Sequence, residues 1–304
     1  MDLRRLLPAL SALLVALGIV AGSALDRRPP REASLRGGYR VLEADFHAHT
    51  RFADGFLSPF DLVVQADRRG LDVLGVTDHN ILFPALMSRW FARTVGGPTI
   101  LPGEEVTTRR YHLHGVGLRE RLDASAPLPE VLAAIHRQGG IAIAAHPVRQ
   151  YWPAFQAEID HIDAAEVMHP LAYGGSRNDW SWQQMRQFYE TVRGEGHKLT
   201  AIGSSDYHFF SPLGVCRTLV FAKDDSEASV IEALKAGRTV VFDLEGRAYG
   251  DAEMIDTLAR EPYTPRAQDY GYRGSGWADR LARAFGWLGL LGLILVGRRR
   301  AAPA

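Results

Sequence analysis

The chain has 304 residues, with 35 Lys plus Arg against 35 Asp plus Glu, so its formal net charge is zero. With no electropositive excess to neutralise a phosphate backbone, nucleic acid is not an expected partner. Apolar residues make up 46% and charged residues 23%, which excludes a disordered chain. The single cysteine, Cys216, excludes an intrachain disulfide and a cysteine-based zinc cluster.

Residues 6–20 carry no charge, follow Arg4 and Arg5, and precede Ala21, Gly22, Ser23 and Ala24. That is the layout of a secretory signal, and about 20 apolar residues also suffice for a membrane anchor. Residues 1–25 are read as one or the other, and 26–42 as a linker. Strand patterning begins at 40–46. Ser58 then caps a helix that starts at Pro59 and runs to Arg69, with Gly70 stopping it. Further strands are expected at 71–76, 98–106, 111–118, 141–145, 162–168, 199–203 and 239–242. Helices are expected at 127–138, 182–194 and 226–236. Repeated strand–helix units predict an α/β fold with a parallel sheet, open or closed as a barrel.

Residues 246–276 read as a linker. Residues 284–297 are again uncharged and end at Arg298, Arg299 and Arg300. Extended back to Trp277, residues 277–298 are read as a C-terminal transmembrane segment, with a basic tail at 299–304. Flanking arginines number five on the terminal side (4, 5, 298–300) and seven on the other (27, 28, 31, 36, 273, 280, 283), so they do not set orientation. The signal-like start leads to the expectation of a membrane-associated middle domain outside the cytoplasm, in a periplasmic or exported setting, with a cytoplasm-facing domain as the alternative.

Polar clusters fall at or near the strand ends: Asp45-Phe46-His47-Ala48-His49 with Asp54-Gly55 beyond, Thr77-Asp78-His79-Asn80, Gly103-Glu104-Glu105, His112 and His114, His146-Pro147, Glu166 with His169, and Ser205-Asp206-Tyr207-His208. In parallel α/β folds these ends share one ligand-binding face. His47 and His49 are two apart, as are Asp206 and His208, so each pair points one way on an extended chain. Imidazole with carboxylate suits zinc, manganese or iron rather than calcium or magnesium alone.

These motifs, in this order, resemble the PHP (polymerase and histidinol phosphatase) family over about residues 43–245, with Ala236-Gly237-Arg238-Thr239 as a closing motif. The Asp78-His79-Asn80 and Glu104-Glu105-Val106-Thr107-Thr108 forms look closest to a branch that includes carbaryl-hydrolase-like metallohydrolases. The resemblance implies a distorted seven-stranded β/α barrel, here flanked by hydrophobic helices. It also implies phosphoester hydrolysis with two or three divalent metals. Carried over, His47, His49, Glu105 and Asp206 would hold the first metal. Asp54, His79 and His208 would hold the second, and Glu105, His112 and His146 the third. Glu105, Asp206 and His208 would be the catalytic residues.

His112 is preferred to His114, which is read as packed or supporting. Asp45 and Asp78 precede ligating histidines and could orient them. Glu166, His169 and Arg217 are candidates to face substrate. Glu104 is expected to be solvated, His136, His161 and His197 to lie on the surface, and Cys216 to be packed. The leading function is cleavage of a small-molecule phosphomonoester or phosphodiester by a metal-activated water. The alternatives are carboxyl-ester, carbamate or amide hydrolysis on the same centre, and a non-catalytic, metal-retaining domain tethered to a membrane.

Overall fold

The computed structural model describes residues 3–26, 33–174, 180–209, 211–265 and 277–301. Parts of the expected linkers (27–32 and 266–276) and the end of the basic tail (302–304) lie outside the described residues. The chain divides into two units, one of Met1–Pro30 with Asp269–Ala304, the other Arg31–Gln268.

In chain order the elements are α1 (Leu3–Asp26), β1 (Leu35–Arg36), β2 (Tyr39–Asp45), α2 (Pro59–Arg68), β3 (Val73–Val76), α3 (Phe83–Val95), β4 (Thr99–Thr107), β5 (His112–Val116) and α4 (Leu128–Arg137). They continue with β6 (Ile141–Ala144), α5 (Trp152–Ala157), β7 (Ala164–Met168), α6 (Trp182–Gly194), β8 (Thr200–Gly203), β9 (Thr218–Ala222), α7 (Glu227–Ala236), β10 (Thr239–Phe242), β11 (Ala248–Gly250), α8 (Ala252–Arg260) and α9 (Trp277–Ala301). Ser58 and Ser226 cap α2 and α7 by accepting the N–H of Asp61 and Ser229.

The α/β barrel-like architecture stands, but the expected seven strands do not. Ten strands pair in the order β11-β10-β9-β2-β3-β4-β5-β6-β7-β8, with β1 paired to β2 off that path. Residues 218–222 and 248–250, assigned to no strand from sequence, supply β9 and β11. Nor is the sheet wholly parallel. β2, β3 and β4 run parallel, as do β6, β7 and β8, but β5 is antiparallel to both neighbours and β9 to β2. Only residues 108–111 join β4 to β5, too few for a parallel crossover.

Side chains bring the two ends of this path together between β8 and the β9–β10 pair. The Thr218 hydroxyl accepts from Gly203 N–H and donates to Gly203 O, each at 2.9 Å, and the Thr239 hydroxyl donates to Ala201 O at 2.8 Å. A Cβ on Gly203 would stand 3.0 Å from Arg217 O and from a Val241 methyl, so glycine permits this approach.

Strand alternation divides the barrel interior into layers. Leu42, Ala44, Val73, Leu101, Val116, Ile143, Ala164 and Ile202 form an apolar layer, into which α7 packs Val230, Ala233 and Leu234. On the same faces as Leu101, Val116 and Ala164 lie Glu105, His114 and Glu166, all fully buried. Because β5 runs against its neighbours, its first residues, not its last, reach the polar layer.

Residues 248–260, within the span read as linker, belong to the fold. Met254 and Leu258 of α8 pack on Val41, Leu219, Phe221 and Val240. The Tyr263 hydroxyl donates to buried Glu43 at 2.7 Å, and Arg36 donates to the carbonyls of Glu261 and Pro262. A fragment of residues 31–268 is therefore expected to unfold in one cooperative transition. Ending it at residue 251 should lower Tm by about 10 °C, since two buried side chains are worth about 1.5–3 kcal/mol each. Scanning calorimetry of the two fragments checks this, and equal Tm values would refute it.

In the other unit, α1 and α9 pack antiparallel, with Ser11 facing Gly289 and Gly292, and Gly18 facing Gly286. A Cβ on Gly18 would lie 2.6 Å from Gly286 N, and one on Gly289 2.6 Å from Ser11 O, so the two backbones touch. Leu10, Leu13, Ile19 and Val20 of α1, and Leu288, Leu291 and Leu295 of α9, point outward and are exposed.

Candidate metal centre

Backbone hydrogen bonds beyond the strand ends assemble the polar layer. His49 N–H donates to Tyr207 O and Tyr207 N–H to His47 O, which joins the first histidine pair to the Asp206–His208 segment. Asn80 N–H donates to Glu105 O and Glu105 N–H to Asp78 O, and Ala145 N–H to His112 O. Three non-glycine residues here take positive φ: Asn80 (54°), His146 (24°) and Asp206 (43°). Left-handed backbone costs of order 1–3 kcal/mol per residue, and its confinement to this face among the described non-glycine residues marks a site where geometry outranks local stability.

The structure gathers the sequence-derived residues into overlapping groups. His47, His49 and Glu105 form one, which Asp206 joins with Oδ1 at 3.0 Å from His47 Nε2 and 3.4 Å from His49 Nε2. His49, Asp54, His79 and His208 form a second, and Glu105, His112 and His146 a third. Glu105 touches all three. Its Oε1 lies 2.9 Å from His112 Nδ1 and 3.2 Å from His146 Nε2. Its Oε2 lies 2.8 Å from His79 Nδ1, 3.5 Å from His49 Nε2 and 3.6 Å from His47 Nε2. The second group is the open one, with the Asp54, His79 and His208 side chains 53, 27 and 22% exposed while His47, His49 and Glu105 are sealed.

Hydrogen bonds fix the ring orientations. Glu166 accepts from His47 Nδ1 at 2.9 Å and from His146 backbone N–H at 2.6 Å, so one carboxylate positions residues of two groups. In the neutral ring that leaves the His47 Nε2 lone pair facing His49 Nε2, 2.9 Å away. Leu171 N–H donates to His169 Nδ1, so the His169 proton sits on Nε2 and donates to Asp206 Oδ2 at 3.2 Å. His208 Nδ1 donates to Asp206 O, which turns its Nε2 lone pair towards Asp54 Oδ2 at 3.1 Å.

The remaining assignments separate. His114 pairs across the ladder with Glu105 and packs edge-on against His47, with neither ring nitrogen hydrogen-bonded. Asp45 does not orient an imidazole; it accepts the backbone N–H of His47, Ser205 and Gly214. Asp78 likewise holds Thr50 through N–H and hydroxyl. Arg217 lies against Glu43 and the carbonyls of Arg69 and Gly214, away from the histidine groups. Cys216 is buried, which pushes its thiol well up. Sequence reasoning missed Thr107, whose hydroxyl lies 2.6 Å from His79 Nδ1, although its i+2 spacing from Glu105 on β4 could have found it. It also missed Tyr151, stacked on His112 at 5.1 Å, and Trp180, 4.9 Å from His146, which no local signal announces.

Charge makes the arrangement legible. Burial pushes Asp206 and Glu105 up, yet His47 and the other neighbouring histidines hold both well below the usual carboxylate range. Burial also opposes ionisation of Glu166, but His47 brings it to about 2, while burial lowers His49 to about 4. Among the described residues, every ion-pair partner of Asp54, Glu105, Glu166 and Asp206 is a histidine, never Lys or Arg. His47, His49, Glu105 and Asp206 converge with no Lys or Arg among them, a donor set that fits divalent metal ions.

Glu104 corrects an expectation. Its side chain is buried, because helices cover the outer face of β4, and its Oε1 accepts Leu122 N–H. Burial raises it to about 7. A raised carboxylate costs stability as pH climbs from its ordinary value through the folded one, and nothing below both. Glu104→Gln should therefore gain stability on the wild type between pH 5 and pH 8, by about 3 kcal/mol at most. A pH-independent difference in thermal melts would refute this.

Residues 195–239 match the PHP-associated family model. An uncharacterised protein of Methanocaldococcus jannaschii is 25% identical over 144 residues, covering 42% of this chain and 84% of the relative. A Bacteroides vulgatus two-domain protein containing a predicted PHP-like metal-dependent phosphoesterase superposes with TM-score 0.59 at 22% identity, covering 77% of this chain and 74% of that one. The lesion-specific endonuclease Q of Pyrococcus furiosus is more distant, with TM-score 0.41 at 14% identity over 79% of this chain and 70% of that one. The PHP resemblance read from the sequence is borne out by the family match and the Bacteroides fold. The narrower likeness to carbaryl-hydrolase-like enzymes is not distinguished by these comparisons.

Proposed function

We propose that the chain is a metal-dependent phosphoesterase acting on a small-molecule phosphomonoester or phosphodiester. The observation that carries this reading is the meeting of His47 Nε2 and His49 Nε2, 2.9 Å apart, with Asp206 Oδ1 and Glu105 Oε2 and no Lys or Arg among them. His47, His49, Glu105 and Asp206 would hold one cation. Asp54, His79 and His208, with His49 beside them, would hold a second, and Glu105, His112 and His146 a third. Imidazole–carboxylate donors suit zinc, manganese or iron. Such ions, when bound, supply Lewis acidity towards a phosphoryl oxygen and lower the pKa of a water.

The chain's own residues do the rest. Glu166 keeps the His47 proton on Nδ1 and so keeps Nε2 free, and His169 donates to Asp206 Oδ2 and holds its other oxygen towards His47 and His49. Such supporting partners orient the groups that bind. Asp54 and His208, at the open side, are the groups a substrate reaches first. The Tyr151 and Trp180 rings flank His112 and His146 and exclude water from the third group.

On this reading α1 and α9 are retained as an antiparallel pair that spans a membrane. At 24 and 25 residues each reaches about 36 Å, and Arg280–Gly297 has mean hydropathy 1.5. Backbone contact through glycine and serine is how helices associate in lipid, where burial of apolar area gives no drive.

The test is metal analysis of the full chain in detergent, then a panel of phosphomonoesters, phosphodiesters, carboxyl esters, carbamates and amides with and without chelator. Two or three ions per chain and chelator-sensitive phosphoester turnover are expected. At most one ion after loading, or turnover confined to the carbon esters and amides, would overturn the reading.

A further inference from the structure

A groove of about 510 Å³ opens beside His79, and neither the catalytic reading nor any motif accounts for it. Its floor is apolar, from Ile81, Phe83 and Leu86, and its rim carries Arg119 and Arg121.

Two independent features of its walls point to a ligand. The first is aromatic. Phe83 is 61% exposed and meets Phe52, 48% exposed, edge to face with centroids 6.3 Å apart. These rings flank the open metal group, Phe52 two residues before Asp54 and Phe83 four after His79. Exposed phenylalanines paired at the mouth of a site lose the stabilisation that burial would give them, and a flat apolar ligand restores it. The second is electrostatic. Arg121 donates from Nε to Asn80 O at 3.0 Å, and Asn80 is itself locked, at φ 54°, by bonds to Glu105 O and from Thr107 N–H. The Arg121 guanidinium is thus tied to the wall that also holds Glu105 and His79. Glu104, which Arg121 also faces, is buried behind Leu122 N–H. Two guanidiniums over an apolar floor suit a planar group with its own negative charge.

We infer that this groove is the subsite for the non-reacting part of the substrate, and that the substrate is an aryl or heteroaryl phosphoester bearing a second anionic group. The inference rests on the phosphoesterase reading, with the phosphoryl group over the open metal group and the ring between Phe83 and Arg121.

The experiment uses the full chain loaded with manganese and compares 4-carboxyphenyl, phenyl and butyl phosphate. The wild type should show KM rising in that order, by about tenfold from first to last, the worth of one charge-assisted contact or ring burial. Phe83→Ala should raise KM for both aryl esters relative to butyl phosphate. Arg121→Gln should raise it for the carboxylated ester alone, and both variants should act on KM more than on kcat. In parallel, 4-carboxyphenylphosphonate binding is measured by calorimetry, so that the groove is tested even if no ester is cleaved. Weaker phosphonate binding in both variants without wild-type turnover would support the subsite and refute the phosphoesterase reading. Equal KM ratios and equal phosphonate affinity in wild type and variants would overturn the subsite and leave that reading standing.

Discussion

Glu105→Gln is expected to lose about 10³-fold in turnover and to retain fewer bound ions than the wild type. Single supporting partners of a metal site are worth about 10–100-fold, and Glu105 is not peripheral. Its two oxygens reach His112, His146, His79, His49 and His47, so one carboxylate serves all three histidine groups. Glutamine keeps the length but removes the charge that holds cations close together. It also turns an N–H₂ donor towards nitrogens whose lone pairs are needed. Fold should survive, since β4 keeps its ladder to β5 and the Glu105 backbone bonds to Asp78 and Asn80 do not involve the side chain. Turnover on the best ester, with metal content by emission spectrometry, reads the result. Full activity with a full metal complement would remove the shared-carboxylate centre and, with it, the main support for a multinuclear hydrolase.

Much of this centre was legible because metal ligands leave short-range traces. His47 and His49, or Asp206 and His208, sit two apart on extended chain, and each follows an apolar strand whose alternation is plain. Helix starts were equally plain where a serine caps them, as at Ser58 and Ser226. α3 went unread because Leu82 precedes it with no side-chain cap, although Pro84 in its first turn is a start signal of the kind that Pro59 gives α2. β9 went unread because it gains strand status by pairing with β2 and β10, a tertiary event. α8 did carry a signal: Asp251 caps it by accepting Met254 N–H, and Met254, Thr257 and Leu258 fall at helical spacing. The direction of β5 was legible too, since the four residues between the strands expected at 98–106 and 111–118 are too few for a parallel crossover. Glu104 failed because alternation predicts a solvated partner face only when one face is wet, and β4 is buried on both. What joined distant segments, such as Glu166 to His47 across 119 residues, had no sequence trace beyond the residue type itself.

Asp206→Asn is expected to abolish most turnover, by about 10³-fold, and to release the ion held with His47 and His49, while His169→Ala should lose only about 10- to 100-fold. The contrast separates charge from shape. Asp206 sits at φ 43°, a conformation that asparagine adopts at least as readily as aspartate, so the substitution relieves rather than adds backbone strain. His169 Nε2 can still donate to the amide oxygen of asparagine, and His208 Nδ1 still reaches the residue 206 carbonyl. What disappears is the negative charge 3.0 Å from His47 Nε2 and 3.4 Å from His49 Nε2. Without it the two facing lone pairs, 2.9 Å apart, have only Glu105 Oε2 to help neutralise a cation. His169→Ala leaves that charge in place and removes only the donor that aims it. If metal content and turnover fall equally in the two variants, aiming matters as much as charge, and Asp206 acts through its orientation rather than as a ligand. If Asp206→Asn keeps both, the first metal group does not include it.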